Sequence, residues 1–492
     1  MGRALSTVVV RWLLVCVLAA AALLNTGCAL AMILRPDEVR YGEALLYAHA
    51  DRLVRGVPLY QPIDQAPYTV AAYTPLYYAL AALARVLFGA GFAPGRLVSF
   101  AAGLIAVACV GRLTWRRTHA WWPTMLASLL LLGMGMIGPV PWFGSYKEDV
   151  LAVALVLGAF VMLDWRTTAP AVASAAVLAA LAILTKQTLF AAALAGTIWL
   201  WATRGPRLAA VFAAGVTLCV LGVCLAFELT TRAFFENVVV ANLNPLSDSA
   251  LSFNLYLLAL FQAAPILAAL ADAWPRLRPS TAPRDLVIGA WLASIIPVLG
   301  IAKAGADFNY WLLFAALTAV LAASAVWKRR TGFTALGLAL ALIVNTALAS
   351  LVTVGLVLNQ PALVRPNAAA QDGFARVLER VRREPHDVIA DPLDVAVLTD
   401  HAVVLEPVLY DLLYLEGRWD PAPVVARVCR GDIALAVLGY PLDQPDAEAE
   451  HKWPRPVLEA LRARMTLQEI VPAGIDRRYV YTRDDARQCA GG

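Results

Sequence analysis

Eleven apolar runs follow one another through the first 357 residues, at 9–34, 94–114, 120–141, 149–165, 170–185, 187–203, 208–230, 253–273, 285–302, 309–327 and 332–357. That succession constrains the chain more than any motif does. Once lipid surrounds such a run, its peptide groups have no water to bond, and within one segment only a helix satisfies them. Composition closes the other route. At 60% hydrophobic and 15% charged residues, a soluble fold of 492 residues would leave much of its apolar surface wet. The expected class is a polytopic all-α membrane protein. The net charge of +5 is not a nucleic-acid footprint, because the Arg and Lys residues sit in short clusters between the runs. No nucleic-acid partner is expected.

Those clusters give an orientation. Arg3 and Arg11 precede the first run. Alternate turns then carry Arg112, Arg116 and Arg117; Arg166; Arg204 and Arg207; Arg276, Arg278 and Arg284; and Lys328, Arg329 and Arg330. The opposite turns hold only Lys147, Lys186, Arg232 and Lys303, fourteen basic residues against four. Basic turns stay cytoplasmic, so about eleven spans are expected, with the N-terminus inside and the C-terminus outside. The stretch 171–203 is too long for one span, about 50 Å as a single helix against a hydrocarbon core of about 30 Å. It is expected to break into a hairpin at "TKQT" around Lys186. The stretch 73–89 contains Pro75 and Arg85 and is expected to lie along the outer leaflet, with Tyr73, Tyr77 and Tyr78 at headgroup level. The first outer loop is then long, residues 35–93.

After residue 357 the pattern changes to short strands and amphipathic helices, with strands expected at 432–440 and 478–483 and a helix at 454–465. Residues 1–357 thus form a transmembrane domain and 358–492 a small extracytoplasmic α/β domain. Cys429 and Cys489 lie in that tail, where an oxidising compartment would allow them to pair. The sequence holds no Walker motif, dinucleotide fingerprint or nucleophile elbow.

Chemistry-bearing residues gather at the outer ends of the runs. Asp37 and Glu38 follow Pro36 at the outlet of the first run, and an amphipathic helix is expected over "EVRYGEALLYAHADRLVRG" from Glu38. Acids at a helix start also favour its dipole, which alone accounts for them. Glu148 and Asp149 open the fourth run and Lys147 precedes them, so the same dipole reading applies. Lys186 and Gln187 sit in the hairpin turn. A lysine at membrane depth is costly and suits a phosphate partner. Lys303, Asp307, Asn309 and Tyr310 share a later turn.

The order of these pieces resembles a known superfamily. One anchor helix, an acidic pair in a long outer loop, "RLVRGVPLYQP", "AYTPLYYALAALARVLFG", "GRLVSFAAGLIAVACVGRL", "YKEDVLAVALVLGAF", "LAILTKQTLFAAAL" and "KAGADFNYWLLFAAL" together look like the GT-C glycosyltransferases. The resemblance is nearest to bacterial relatives of protein O-mannosyltransferases and the aminoarabinose transferase. It covers about residues 10–330; the tail matches no module of that family. What it implies is an inverting hexosyl- or pentosyltransferase in the cell inner (cytoplasmic) membrane. Such an enzyme moves sugar from a polyprenyl-phosphate donor to a glycan, lipid or protein acceptor on the outer face. It assigns Asp37 the role of general base; the other catalytic candidates are Glu38, as a helper or metal contact beside it, and Asp149, as a second acid facing the cavity and shared with the acceptor or a divalent metal. A carboxylate within hydrogen-bond reach of an acceptor hydroxyl can take its proton. The leaving lipid phosphate needs cations, and Lys186, Lys147, Gln187 and Lys303 are the candidates for it. No metal ligands are assigned, and a divalent ion is left open. Two rivals stand beside this reading: a transporter or flippase for lipid-linked sugar, and a non-catalytic relative that binds a polyprenyl lipid.

Overall fold

A computed structural model describes residues 2–135, 141–278, 284–329, 333–365, 367–442 and 452–489. Arg330, one of the basic turn residues, lies outside them. Every apolar run is helical over most of its described length. The helices are α1 (Gly2–Ile33), α2 (Glu43–Val54), α3 (Leu76–Phe88), α4 (Ala93–Thr118), α5 (Trp121–Leu130), α6 (Asp149–Trp165), α7 (Ala169–Ile183), α8 (Phe190–Arg204), α9 (Pro206–Thr231), α10 (Phe234–Val238), α11 (Asp248–Ala273), α12 (Leu286–Ala293), α13 (Ile295–Val298), α14 (Leu312–Lys328) and α15 (Phe333–Asn359). Among the described residues, six helical segments are long and apolar enough to cross a membrane, at Val8–Ile33, Ala93–Thr118, Pro206–Thr231, Asp248–Arg276, Phe308–Lys328 and Thr334–Asn359. The rest are shorter; the 17 residues of α6 extend about 26 Å at 1.5 Å each. The break expected at "TKQT" is present: α7 ends at Ile183, a 3-10 turn holds Gln187–Leu189, and α8 begins at Phe190.

The centre of the bundle is α14, buried along Leu312–Val326. Polar side chains inside the bundle are matched to backbone groups that the helices leave free. A π-helical turn at Leu131–Gly135 widens the end of α5. Its carbonyls are taken by Asn25 Nδ2, which donates to Leu132 at 2.9 Å, and by Gln262 Nε2, which donates to Met134 at 2.6 Å. In hydrocarbon each of those carbonyls would otherwise be costly. At one end of the bundle Asp272 gathers Arg117 at 3.0 Å, Arg276 at 3.2 Å and Lys328 at 2.7 Å, tying α4, α11 and α14. These belong to the basic turns that the sequence assigns to one side.

Two local expectations are corrected. The amphipathic helix expected from Glu38 starts only at Glu43. Gly42 stands at φ +85°, a left-handed conformation, and the Glu43 carboxylate accepts from the Val39 N–H at 2.9 Å and turns the chain back on itself. Asp37 and Glu38 therefore are not a helix start. Tyr77 and Tyr78, expected at headgroup level, are buried instead. The Tyr77 hydroxyl donates to the Gly95 carbonyl at 3.1 Å and meets Ser99 Oγ at 3.1 Å, so α3 turns this face onto α4.

Beyond α15 lie α16 (Ala368–Arg382), β1 (Asp387–Asp391), α17 (Asp394–Val397), α18 (Pro407–Leu415), α19 (Ala422–Arg430), β2 (Ile433–Leu438), α20 (Arg455–Arg464), β3 (Met465–Ala473) and β4 (Asp476–Arg483). The sheet order is β1-β2-β4-β3, with β1 and β2 parallel and the other pairs antiparallel. One face packs on α16 through Phe374, Val377 and Val381. The other packs on α18–α20 and on the loop before α3, where Ile63, Tyr68 and Val70 join the same core as Tyr410, Trp419 and Leu438. Tyr68 makes two backbone bonds across this contact: its N–H donates to the Val404 carbonyl at 3.3 Å, and its carbonyl accepts from the Glu406 N–H at 2.9 Å. Cys429 and Cys489 form a disulfide that pins the C-terminal end to α19.

Candidate active site

The segment 35–43 is shaped by one buried cation. Arg96, in the first turns of α4, is fully buried. It donates to the carbonyls of Met32 at 2.8 Å, Arg35 at 2.7 Å and Asp37 at 2.8 Å, and pairs with Glu43 at 2.6 and 3.1 Å. Burial alone would raise the Glu43 carboxyl, but the Arg96 guanidinium and backbone donors from Val39 and Tyr146 outweigh it and hold the group below its ordinary value. Five donors on a planar fork suit this task where a lysine would not.

Asp37 lies inside that frame. Both carboxylate oxygens are taken by Arg35, at 3.0 Å from Nε and 2.6 Å from Nη2, and both residues are buried. The β3–β4 turn presses on the same carboxylate: Gly474 stands at φ +68°, and a Cβ there would fall 2.5 Å from Asp37 Oδ2. Glu38 points elsewhere and accepts from the Ala44 N–H at 3.3 Å. Burial, with the neighbouring carboxylates of Asp394 and Glu43, pushes its carboxyl up to about 8. Asp394 belongs to the tail, at the start of α17. It accepts from the Glu38 N–H at 3.1 Å and pairs with buried Arg478 at 3.0 Å.

Glu148, Asp149 and Lys186 form a second buried group. The Lys186 ammonium contacts the Asp149 carboxylate and lies 3.3 Å from Glu148 Oε1, with the rings of Tyr310 and Tyr73 5.0 and 5.5 Å away. Asn309 Nδ2 also donates to Asp149, at 3.0 Å. Gln187 donates to the carbonyls of Ala72 and Val238, both at 3.2 Å, and so ties the hairpin turn to α10 and the first loop.

Between these groups opens a cavity of about 640 Å³. Its polar end carries Arg40, Tyr41, Lys147, Asn242, Lys303, Asp307, Asn309, Tyr310 and Glu406; its flank is apolar, with Phe253, Leu257 and Phe261 from α11 and Val352 and Leu356 from α15. Of the seven candidates read from sequence, Lys147 and Lys303 line the cavity. Lys186 and Asp149 stand behind it, joined to its wall through Asn309 and Tyr310. Asp37, Glu38 and Gln187 are outside its lining. Arg40 lies over the Trp142 ring at 4.1 Å and pairs with Asp307 at 2.9 Å. The Lys303 ammonium donates to the Asn242 carbonyl at 2.5 Å, and burial with the nearby Lys186 charge holds it below its ordinary value. The Lys147 ammonium is mostly buried and makes no ion pair among the described residues. It packs on Gly42, where a Cβ would sit 2.8 Å from Nζ. Gly42 thus serves the turn through its φ and the lysine through its missing side chain. No three His, Cys, Asp or Glu side chains gather as a metal site among the described residues.

Sequence reasoning missed Arg40, Glu43, Arg96, Asp394, Glu406 and Arg478. An arginine at the head of an apolar run was a usable signal for Arg96. Nothing local marks Glu406, which reaches the cavity only because the tail folds back.

No family model matches this chain, and no curated protein matches it. Solved structures do. ArnT, the aminoarabinose transferase of Cupriavidus metallidurans, bound to undecaprenyl phosphate, superposes with a TM-score of 0.63 at 14% identity, over 95% of this chain and 98% of that one. Its apo form gives 0.62, over 94% and 97%. AglB, the archaeal oligosaccharyltransferase of Archaeoglobus fulgidus, in complex with an inhibitory peptide and a dolichol-phosphate, gives 0.56 at 13% identity, over 96% and 74%. Both are GT-C membrane proteins, so this chain has the GT-C fold. The likeness covers nearly the whole chain, tail included, although the tail's sequence resembled no module of that family.

Proposed function

We propose that this chain is an inner-membrane glycosyltransferase that moves a sugar from a polyprenyl-phosphate donor to an acceptor at the outer face. One observation carries the reading: a single cavity joins a cationic, hydroxyl- and amide-lined end to an apolar flank between α11 and α15. That is the chemistry of a phosphate on a hydrocarbon chain. The unpaired Lys147 ammonium and Lys303 are the phosphate partners, and Arg40 adds charge beside them. Cations there stabilise the phosphate as the anomeric C–O bond breaks and the electron pair moves to the phosphate oxygen. The neighbours support the ligand class, since one was solved with undecaprenyl phosphate and another with a dolichol-phosphate. The Cys429–Cys489 disulfide suits an oxidising compartment and supports an extracytoplasmic tail, residues 358–492.

Asp37 enters as the carboxylate that the resemblance assigns to base work. In the present conformation its oxygens face Arg35, and acting as a base requires that pair to open. Closed, it fixes the segment that carries Arg40 and Tyr41 into the cavity. Lys186 holds Glu148 and Asp149, so its part in donor binding is indirect, through Asn309 and Tyr310.

The test is binding of undecaprenyl phosphate to the full chain in lipid nanodiscs. Lys147→Ala should weaken it by about ten- to a hundredfold, the loss of one charge-assisted contact. Unchanged affinity in Lys147→Ala would place the phosphate elsewhere.

A further inference from the structure

We propose that Tyr41 and Glu406 form a proton-accepting dyad for the transfer, with the C-terminal domain supplying its carboxylate; this rests on the transferase reading above. The geometry isolates the pair. Two carboxylates line the cavity, Asp307 and Glu406. Asp307 is neutralised by Arg40. Glu406 makes no ion pair among the described residues. Its carboxylate accepts the Tyr41 hydroxyl and, at 3.0 and 3.2 Å, the Leu409 N–H that starts α18. Glu406 is 1% exposed, whereas Tyr41 is 53% exposed and stands on the cavity wall. A substrate hydroxyl therefore meets the phenol, and the phenol meets the carboxylate.

The step balances without a further reactant. The acceptor O–H gives its proton to the Tyr41 oxygen while the Tyr41 proton passes to Glu406. The acceptor oxygen forms the new bond to the anomeric carbon. The anomeric C–O bond breaks, and its electron pair leaves with the lipid phosphate. Tyrosine and glutamate are both established proton carriers in catalysis.

The surroundings of Glu406 suit a base near neutrality. Burial raises its carboxyl, the Tyr41 hydroxyl and the Leu409 and Val408 backbone donors pull it down, and the Asp391 carboxylate raises it; the balance is about 7. Tyr41 faces the Asp391 and Glu38 carboxylates besides Glu406, and Tyr410 lies on the same helix as the cap. Arg40, Lys147, Lys303 and Asp307 are the other charges on the cavity. Catalysis needs the ionised carboxylate, so turnover should rise with pH through about 7.

The experiment uses the full chain in nanodiscs, with undecaprenyl phosphates each carrying one labelled hexose or pentose. Glu406→Gln keeps an oxygen for the Leu409 cap and for Tyr41, so a merely structural role would survive it. The expected result is a drop in kcat of about 10²- to 10⁴-fold in both Glu406→Gln and Tyr41→Phe. The double variant should be no worse than either single one. The limb near pH 7 should disappear, and undecaprenyl phosphate affinity should be unchanged. If Glu406→Gln does not fold, Tyr41→Phe, which removes one oxygen from a half-exposed residue, carries the test. Near-normal turnover in Tyr41→Phe overturns the dyad. Cleavage of no donor by the unaltered chain that still binds undecaprenyl phosphate overturns the transferase reading, and the dyad with it.

Discussion

Glu38 is a residue whose chemistry the fold alters. Its carboxyl rises to about 8 because it is buried beside Asp394 and Glu43. A carboxyl raised on folding binds its proton more tightly in the folded chain. The stability this contributes is fully present below the ordinary value near 4.5 and is lost as pH rises through about 8. The apparent unfolding temperature in detergent should therefore fall between pH 5 and 8.5, and Glu38→Gln, which cannot ionise, should flatten that fall. An unchanged pH slope in the variant would place the titration elsewhere. The acidic pair was legible in the sequence as a place where something happens, since Pro36 ends the first run beside it. Its partners were not. Arg35 and Arg96 were not singled out, and Asp394 lies 356 residues from Glu38 in the chain. Hydropathy period reports which face is buried; it carries no information on which distant side chain arrives there.

At the scale of elements, the helices were read well because each must satisfy its own backbone in lipid, so apolar length alone marks it. The loop before α3 and the tail were harder, because their structure is made by mutual contact. Tyr68 pairs with the strand-like stretch at Leu405, and the β3–β4 hairpin closes on Asp37. Strand β3 escaped notice because its exposed stretch at Gln468–Ile470 breaks the alternation expected of a half-buried strand. The hairpin contact is itself testable. Gly474→Ala adds a methyl 2.5 Å from Asp37 Oδ2 at a φ of +68°, where L-residues are strained by about 1–2 kcal/mol. The hairpin should lift, and backbone amides of 35–43 should exchange with deuterium faster. Equal protection in the variant would mean that the hairpin is not what closes over Asp37.

For the whole molecule, the tail is part of the cavity rather than an appendage beside it, since Glu406, Leu409 and Leu412 line it together with residues of α11 and α15. A tail that only anchored the chain would have no reason to send a carboxylate there. The central claim is that this cavity breaks a sugar–phosphate bond rather than carrying lipid-linked sugar across the membrane. The measurement that meets it most directly follows undecaprenyl phosphates carrying a labelled sugar in sealed proteoliposomes, scoring the glycosidic bond and the leaflet of the lipid together. The expected products are free undecaprenyl phosphate and label on acceptor or water, with Lys147→Ala impaired. Label that changes leaflet while still joined to its lipid would contradict it, and would make the chain a transporter.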